Sequence, residues 1–298
     1  MGRDLNRSES PQQAAATLPP LPERADRKRK ELISTLQEMG SVMVAFSGGV
    51  DSAYLAYAAH HTLGDSALAV TGESPSYPDY QRQMAKRISS RFGIAHLFIR
   101  TREVENEAYR ANNADRCFHC KNELYSSLTT LASERGFQYV VDGSNADDRG
   151  DYRPGRQAAK LLGVRSPLEE VGLTKREIRY LSKLASLPTA EEPASACLSS
   201  RIPYQSLITP EKLGVVEEGE NALRGLGFRH FRVRHHGQLV RLEFAPEEMP
   251  RALSHEMMPR LVQALKALGF TFVTVDLQGY RTGSLNEALP SSRDLPVV

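Results

Sequence analysis

The chain has 298 residues, 38 Lys and Arg against 36 Asp and Glu, and a formal net charge of +2 at pH 7. This length suits two domains, and the near-neutral charge gives no electrostatic reason to expect nucleic acid as a partner. The polar start has no apolar signal region, and no apolar run approaches the roughly 18 residues of a membrane helix. The 3 cysteines do not suggest a disulfide scaffold. A cytoplasmic enzyme is therefore predicted.

The beginning of the chain is polar and rich in proline, which predicts a disordered leader over residues 1–24. A helix is predicted from about Arg24 to Met39, where apolar side chains recur at helical spacing, and Gly40 ends it. The predicted division is an α/β domain over residues 25–207, a smaller α+β domain over 208–287, and a loose tail over 288–298.

The central feature is a strand, a glycine-rich loop and a helix in succession. Val42–Phe46 is a short apolar run typical of a buried parallel strand, and good helix formers follow from Ala53. The loop between them permits close approach of backbone N–H groups to an anion, and the helix N-terminus adds positive charge. A plain turn is the alternative, but the context favours phosphate binding by residues Ser47, Gly48, Gly49, Val50, Asp51 and Ser52.

Further apolar runs alternate with helical segments, which predicts a doubly wound parallel sheet. The predicted strands are Ala67–Thr71, His96–Thr101 and Tyr139–Asp142, and the predicted helices between them are Asp79–Phe92 and Lys121–Arg135. Ligands bind at the carboxyl ends of strands in such sheets, so the loops that follow these strands are candidate ligand loops.

The loop after the fourth strand is rich in acidic residues, glycine and asparagine. Asp147 or Asp148 in this loop is a candidate Mg²⁺ ligand, because hard cations prefer oxygen donors. Further along, Thr174 and Glu177 have the spacing of a capping box, which predicts a helix that begins beside Lys175.

The character of the sequence changes near Thr209. A helix over Pro210–Leu226 is followed by a hairpin with its turn at His236-Gly237, and then by a helix at about Pro259–Leu268 and a strand at Phe272–Asp276. In the hairpin, Arg232 and Arg234 alternate onto one face of a strand that is expected to be half-buried.

The cysteines fall in two places. Cys117 and Cys120 form a CxxC pair, whose spacing suits a redox dithiol, half of a zinc site or an iron–sulfur ligand pair. Cys197 lies in a serine-rich segment before Arg201, and it is either a small buried side chain or a thiol in an anion-binding loop.

The run Ser-Gly-Gly-Val-Asp-Ser over 47–52 resembles the pyrophosphate-binding loop of the PP-loop ATP pyrophosphatase superfamily. The resemblance sharpens at Arg116–Lys121, Pro193–Tyr204, Arg232–Arg234 and Asp276–Asn286, where the sequence resembles the LarE family. LarE proteins are ATP-dependent sulfurtransferases that adenylate a carboxylate of pyridinium-3,5-biscarboxylic acid mononucleotide and convert it to a thiocarboxylate. Their product matures into the nickel-pincer nucleotide cofactor of lactate racemase.

This resemblance implies ATP and Mg²⁺ as cofactors, with the 47–52 loop and Lys175 at the pyrophosphate and with Thr71 and Ser74 near the adenosine. The family is oligomeric, which implies a homo-oligomer here, with Glu220 and Glu243 as candidate metal ligands between subunits. Apart from the resemblance, two guanidiniums on one strand face, Arg232 and Arg234, suit a nucleotide phosphate, with a solvated strand face as the alternative. Arg201 is a further candidate ligand of the anionic substrate. The sulfide donor is not identified by the sequence.

The sulfur source has two forms in the family. Either the cysteine at position 197 gives up its own sulfur, or all three cysteines hold a four-iron four-sulfur cluster that carries an extra sulfide. The presence of Cys117, Cys120 and Cys197 favours the cluster form. A tRNA-thiolating PP-loop enzyme and a zinc-containing nucleotide sensor without catalysis remain the alternatives.

Overall fold

The computed structural model describes residues 20–149, 154–193, 196–281 and 284 of the chain. The predicted leader up to residue 19 and the predicted tail at 288–298 lie outside these residues. In the part described, no helix has both the length and the apolarity needed to cross a bilayer.

The strands form two sheets. The first is parallel, with the order β3-β2-β1-β4, and its strands are β1 (Val42–Ala45), β2 (Ala67–Glu73), β3 (His96–Arg100) and β4 (Tyr139–Val141). The second has the order β5-β6-β7, and its strands are β5 (Phe231–His236), β6 (Leu239–Phe244) and β7 (Phe272–Val275). In the second sheet β5 and β6 form the predicted antiparallel hairpin, whereas β6 and β7 run parallel.

The helices before and between the strands of the first sheet are α1 (Leu21–Met39), α2 (Val50–Leu63), α3 (Asp79–Phe92), α4 (Glu107–Arg110) and α5 (Arg116–Arg135). Those that follow are α6 (Pro154–Leu161), α7 (Pro167–Glu170), α8 (Lys175–Leu184), α9 (Pro210–Gly225), α10 (Met249–Ala252) and α11 (Met257–Lys266). The sequence did not predict α4, α6, α7 or α10, all of which have eight residues or fewer.

Helices cover both faces of the first sheet, as a doubly wound fold requires. Successive side chains of β1 point to opposite faces. Val42 and Val44 pack with α1, α2, α3 and α8, whereas Met43 and Ala45 pack with α5 and α6. The predicted α/β class is therefore confirmed, and it explains why β1 is apolar at every position.

Two predicted helix boundaries were wrong. Helix α1 begins at Leu21, so residues 21–24 of the predicted leader are helical; Pro22 lies in the first turn, where its missing N–H costs nothing. Helix α5 begins at Arg116 rather than near Lys121, so both cysteines of the CxxC pair lie within its first five residues.

The second sheet has its own core, built from β5, β6 and residues of α9 and α11 such as Leu223, Leu261 and Leu265. A smaller cluster joins the two parts of the chain, because Leu198 and Ile202 pack against Leu213 and Val216 of α9. This cluster holds the segment that follows Cys197 against α9.

Candidate functional site

The loop after β1 has the shape of an anion-binding turn. Gly48 has φ +73°, and a Cβ there would lie 2.9 Å from the backbone oxygen of Gln81, so only glycine fits. The Ser52 hydroxyl donates to the Gly49 oxygen at 3.2 Å and accepts from the Ser47 N–H at 3.2 Å. These bonds fix the loop at the N-terminus of α2, a helix of 14 residues whose dipole favours a bound phosphate.

Lys175 reaches this loop from a distant part of the chain. It is the first residue of α8, and the predicted capping box between Thr174 and Glu177 is confirmed. Its ammonium group forms an ion pair with the Asp51 carboxylate. Burial raises the pKa of Asp51, and the charge of Lys175 opposes that rise. The two charges thus meet at the loop that precedes α2.

The acidic loop after β4 lies beside the same pair. Asp147 Oδ2 accepts from the Lys175 N–H at 2.8 Å, and Asp148 Oδ2 accepts from the Asn145 N–H at 3.0 Å. The Asp51 Oδ1 atom is buried and has no hydrogen-bond partner among the described residues. Burial is the largest cause that raises the pKa of Asp51, and the negative charge of Asp148 raises it further. The uncompensated oxygen of Asp51 and the nearby Asp148 carboxylate fit a Mg²⁺ ion, which prefers carboxylate and phosphate oxygens.

An open cavity of about 490 Å³ lies next to the loop. Its lining residues are Glu73, Ser74, Pro75, Tyr77, Asp79, Arg82 and Glu217. The Tyr77 hydroxyl donates to the Ser47 oxygen at 3.1 Å, which connects the cavity wall to the anion-binding turn. Ser74 therefore lines a cavity beside the loop, and its place near the adenosine stays a prediction. Thr71 does not line the cavity: it is 1% exposed, and its hydroxyl donates to the Phe46 oxygen at 2.5 Å.

The three cysteines lie in one region of the molecule without forming a ligand set. Arg116 lies 3.7 Å from Cys117 Sγ and interacts electrostatically with both Cys117 and Cys197. Burial is the largest cause that raises the pKa of the Cys120 thiol, and the negative charge of Glu103 raises it further. Within the described ranges, no group of three or more His, Cys, Asp and Glu side chains could hold a metal ion. In this arrangement the thiols do not fit an iron–sulfur cluster.

The arginines predicted for the substrate are deeply buried. Arg232 and Arg234 are 8% and 5% exposed, so the expectation of a half-buried strand was wrong at these positions. Arg201 Nε lies 2.6 Å from Glu220, and Arg234 makes two contacts of 2.8 and 3.0 Å with Glu243. Both glutamates, which the resemblance suggested as metal ligands, thus have arginine partners inside this chain.

Arg232 lies close to both of the other arginines. Burial lowers the pKa of Arg232 to about 10, and repulsion from Arg201 and Arg234 contributes to that shift. Its guanidinium is 4.6 Å from the centre of the Tyr280 ring. Glu220 and Glu243 compensate the charges of Arg201 and Arg234, so the three guanidiniums exceed these two carboxylates by one positive charge. Such an excess is suited to an anionic group.

Several buried polar residues near the cysteines were missed by the sequence analysis. Arg116 donates to Asn112 Oδ1 at 2.7 Å and to the Ser199 oxygen at 3.0 Å. Tyr109 and Ser199 share a hydrogen bond of 2.5 Å between their hydroxyls. Two signals were local: Arg116 stands directly before the CxxC pair, and Asn112 lies four positions before Arg116. The contacts of Arg116 and Tyr109 with Ser199 join residues 83 and 90 positions apart.

Comparison with known proteins defines the class first. The chain is 25% identical over 227 residues to the tRNA-specific 2-thiouridylase MnmA of Rickettsia felis. The matched region covers 63% of this chain and 62% of that protein. Together with the Ser-Gly-Gly loop at the end of β1 in a parallel sheet, this match places the chain in the PP-loop ATP pyrophosphatase superfamily. No protein-family model matches the chain.

A more similar relative defines the family. The pyridinium-3,5-bisthiocarboxylic acid mononucleotide synthase of Lactiplantibacillus plantarum is 32% identical over 270 residues, 89% of this chain and 96% of the synthase. The chain belongs to the LarE family, the family of that synthase, which confirms the resemblance seen in its motifs. An uncharacterized protein of Synechocystis sp. is 43% identical over 264 residues, 89% of this chain and 98% of that protein.

Proposed function

We propose that this protein is an ATP-dependent sulfurtransferase that adenylates a carboxylate of pyridinium-3,5-biscarboxylic acid mononucleotide and converts it to a thiocarboxylate. The product would serve nickel-pincer nucleotide biosynthesis. The observation that carries the proposal is the similarity to the Lactiplantibacillus plantarum synthase over nearly the whole of both chains. The loop at 47–52 and the Lys175–Asp51 pair support the use of ATP.

In the first half-reaction, a substrate carboxylate oxygen attacks the α-phosphorus of ATP, and pyrophosphate leaves. The backbone N–H groups of the loop and the N-terminus of α2 stabilise the negative charge that develops on the leaving group. Lys175 adds a positive charge at the same place. Asp51 and Asp148 would hold Mg²⁺, which when bound neutralises phosphate charge. The adenosine is assigned to the cavity that Ser74 lines.

The nucleotide phosphate of the second substrate is assigned to the positive site of Arg201, Arg232 and Arg234. Arg201 and Arg234 repel Arg232, so a dianionic ligand would stabilise this cluster, and phosphate accepts guanidinium hydrogen bonds in pairs. Arg232→Ala is expected to raise the apparent KM for the pyridinium mononucleotide while leaving the KM for ATP unchanged. An unchanged KM for the mononucleotide would contradict this assignment.

In the second half-reaction, Cys197 is proposed as the residue that delivers sulfur. As the sacrificial donor, its thiolate attacks the acyl adenylate and AMP leaves, which forms a thioester. Loss of the Cα proton then breaks the Cβ–S bond, which leaves the thiocarboxylate on the product and dehydroalanine in the chain. The alternative is a cluster on Cys117, Cys120 and Cys197, which requires the three thiols to form a ligand set that they do not form among the described residues.

The two sulfur sources are separated by the CxxC pair, because Cys197 is needed in both. After anaerobic reconstitution, about four irons per chain are expected if a cluster forms, and Cys117→Ser or Cys120→Ser would abolish iron binding and repeated turnover. If those variants keep full single-turnover activity while Cys197 loses the mass of hydrogen sulfide, the sacrificial route is correct.

The function as a whole is tested by incubation with ATP and the pyridinium mononucleotide. Pyrophosphate and AMP should appear only when both substrates are present, and mass spectrometry should detect the thiocarboxylate. Formation of ADP and phosphate, or sulfur transfer to tRNA in place of the mononucleotide, would contradict the proposal. Bound zinc without catalysis would support the sensor alternative. The cytoplasmic location and the homo-oligomer remain predictions, the latter tested by light scattering.

A further inference from the structure

A buried glutamate lies between the nucleotide cavity and the cysteines, and no step described above uses it. Glu103 follows β3 in a short 3-10 turn and is 3% exposed. Its Oε1 atom accepts hydrogen bonds from the hydroxyls of both Ser74 and Ser76, the latter at 2.8 Å. Its Oε2 atom is buried, and the described residues provide it with no hydrogen-bond partner. A buried carboxyl group with such contacts is costly to maintain for packing alone.

The two serines belong to the loop after β2, which forms part of the nucleotide cavity. The Ser76 N–H and hydroxyl both lie near the Ser74 hydroxyl, at 3.1 and 3.0 Å. Glu103 therefore fixes the side chains of both Ser74 and Ser76 in this loop. Ser74 faces the cavity, whereas Ser76 is 4% exposed and faces the interior.

Ser76 is also the direct link to the Cys197 segment. Its backbone oxygen accepts from the N–H of Leu198, the residue after Cys197, at 2.9 Å. A second link lies nearby, where the Tyr109 and Ser199 hydroxyls are 2.5 Å apart. Only a few hydrogen bonds thus connect the cavity to the segment that follows Cys197.

We infer that Glu103, acting through Ser74 and Ser76, is a positioning residue that sets the distance between the adenylated substrate and Cys197. This inference rests on the proposed function. Glu103 does not contact the reacting atoms in this arrangement; it fixes the loop that holds the nucleotide to the segment that holds the sulfur donor. Tyr109 fixes the other side of the same segment through Ser199. The second half-reaction depends on this distance, whereas the first does not.

The experiment measures the two half-reactions separately in Glu103→Gln and Tyr109→Phe. Glu103→Gln weakens the acceptor for the two serine hydroxyls, and Tyr109→Phe removes one hydroxyl without changing the ring. At saturating ATP, pyrophosphate release in a single turnover should stay within about twofold of wild type, while formation of thiocarboxylate slows by about tenfold to a hundredfold, as a misplacement near 1 Å produces. Thermal unfolding identifies any variant that is not folded.

Ser182→Ala is the matched control. Ser182 is fully buried, and its hydroxyl has no hydrogen-bond partner among the described residues, so its loss should change neither half-reaction. The inference is overturned if both half-reactions slow in parallel in the folded variants, or if neither changes. If wild type releases no pyrophosphate with the mononucleotide, the proposed function itself is wrong, and the inference falls with it.

Discussion

Gly143 follows Asp142 directly after β4 and lies against the first turn of α2. A Cβ at this position would be 2.8 Å from the Ser52 nitrogen, 3.0 Å from the Ser52 Cα and 3.2 Å from the Asp51 carbonyl carbon. All three are backbone atoms in the first turn of α2, so they cannot turn aside as a flexible side chain would. Gly143→Ala must therefore separate the acidic loop from the loop at 47–52.

Such overpacking costs about 1–3 kcal/mol of unfolding free energy. A shift near 1 Å between Asp148 and Asp51 should also lower kcat/KM for ATP by about tenfold to a hundredfold. Denaturant unfolding gives the first quantity, and ATP-dependent pyrophosphate release gives the second. At Gly214, inside α9, an added Cβ meets nothing within 4 Å, so Gly214→Ala should instead stabilise by about 0.5–1 kcal/mol with wild-type activity.

A Gly143→Ala protein with wild-type stability and wild-type kcat/KM for ATP would contradict this prediction. That result would mean that the acidic loop and the start of α2 are not in contact in solution. Loss of stability with unchanged activity would keep the contact but would remove its role in holding Asp148 near Asp51.

Three other predictions follow from single contacts. Lys175→Met removes the partner of Asp51 and should lower kcat/KM for ATP at least tenfold; because both groups are partly exposed, the unfolding free energy should change by less than about 1 kcal/mol. The ammonium of Lys28 lies 2.7 Å from the Glu177 carboxylate, and Glu177→Gln leaves it without this charged partner. The free energy of unfolding in denaturant should fall by about 3 kcal/mol; a fall below about 1 kcal/mol would contradict the burial of this pair. Burial lowers the pKa of His96 from 6.5 to about 4, so below pH 6.5 the unfolded state binds more protons and stability falls as the pH drops toward 4. Partial exposure reduces the effect to about 1 kcal/mol; His96→Gln should remove it from the pH dependence of unfolding, and an unchanged dependence would assign it to other groups.

The elements that could be predicted from the sequence are those whose signals are local. The apolar run at Val42, the glycines of the following loop and the spacing of Thr174 and Glu177 each involve residues within a few positions of one another. Strand, turn and cap formation depend on just such neighbours. The helix Asp79–Phe92 was predicted with its exact bounds. The family motifs were equally readable, because they are contiguous.

The contacts between distant residues could not be predicted from the sequence, because they depend on the tertiary structure. The Lys175–Asp51 pair joins residues 124 positions apart, and Ser76 meets Glu103 across 27. These pairs arise because the order β3-β2-β1-β4 brings the carboxyl ends of separate strands to one edge, and no local pattern encodes that order. Likewise, the burial of Arg234 against Glu243 depends on the pairing of β5 with β6. A charged strand face reads as exposed in the sequence until its partner strand and its counter-ion are known.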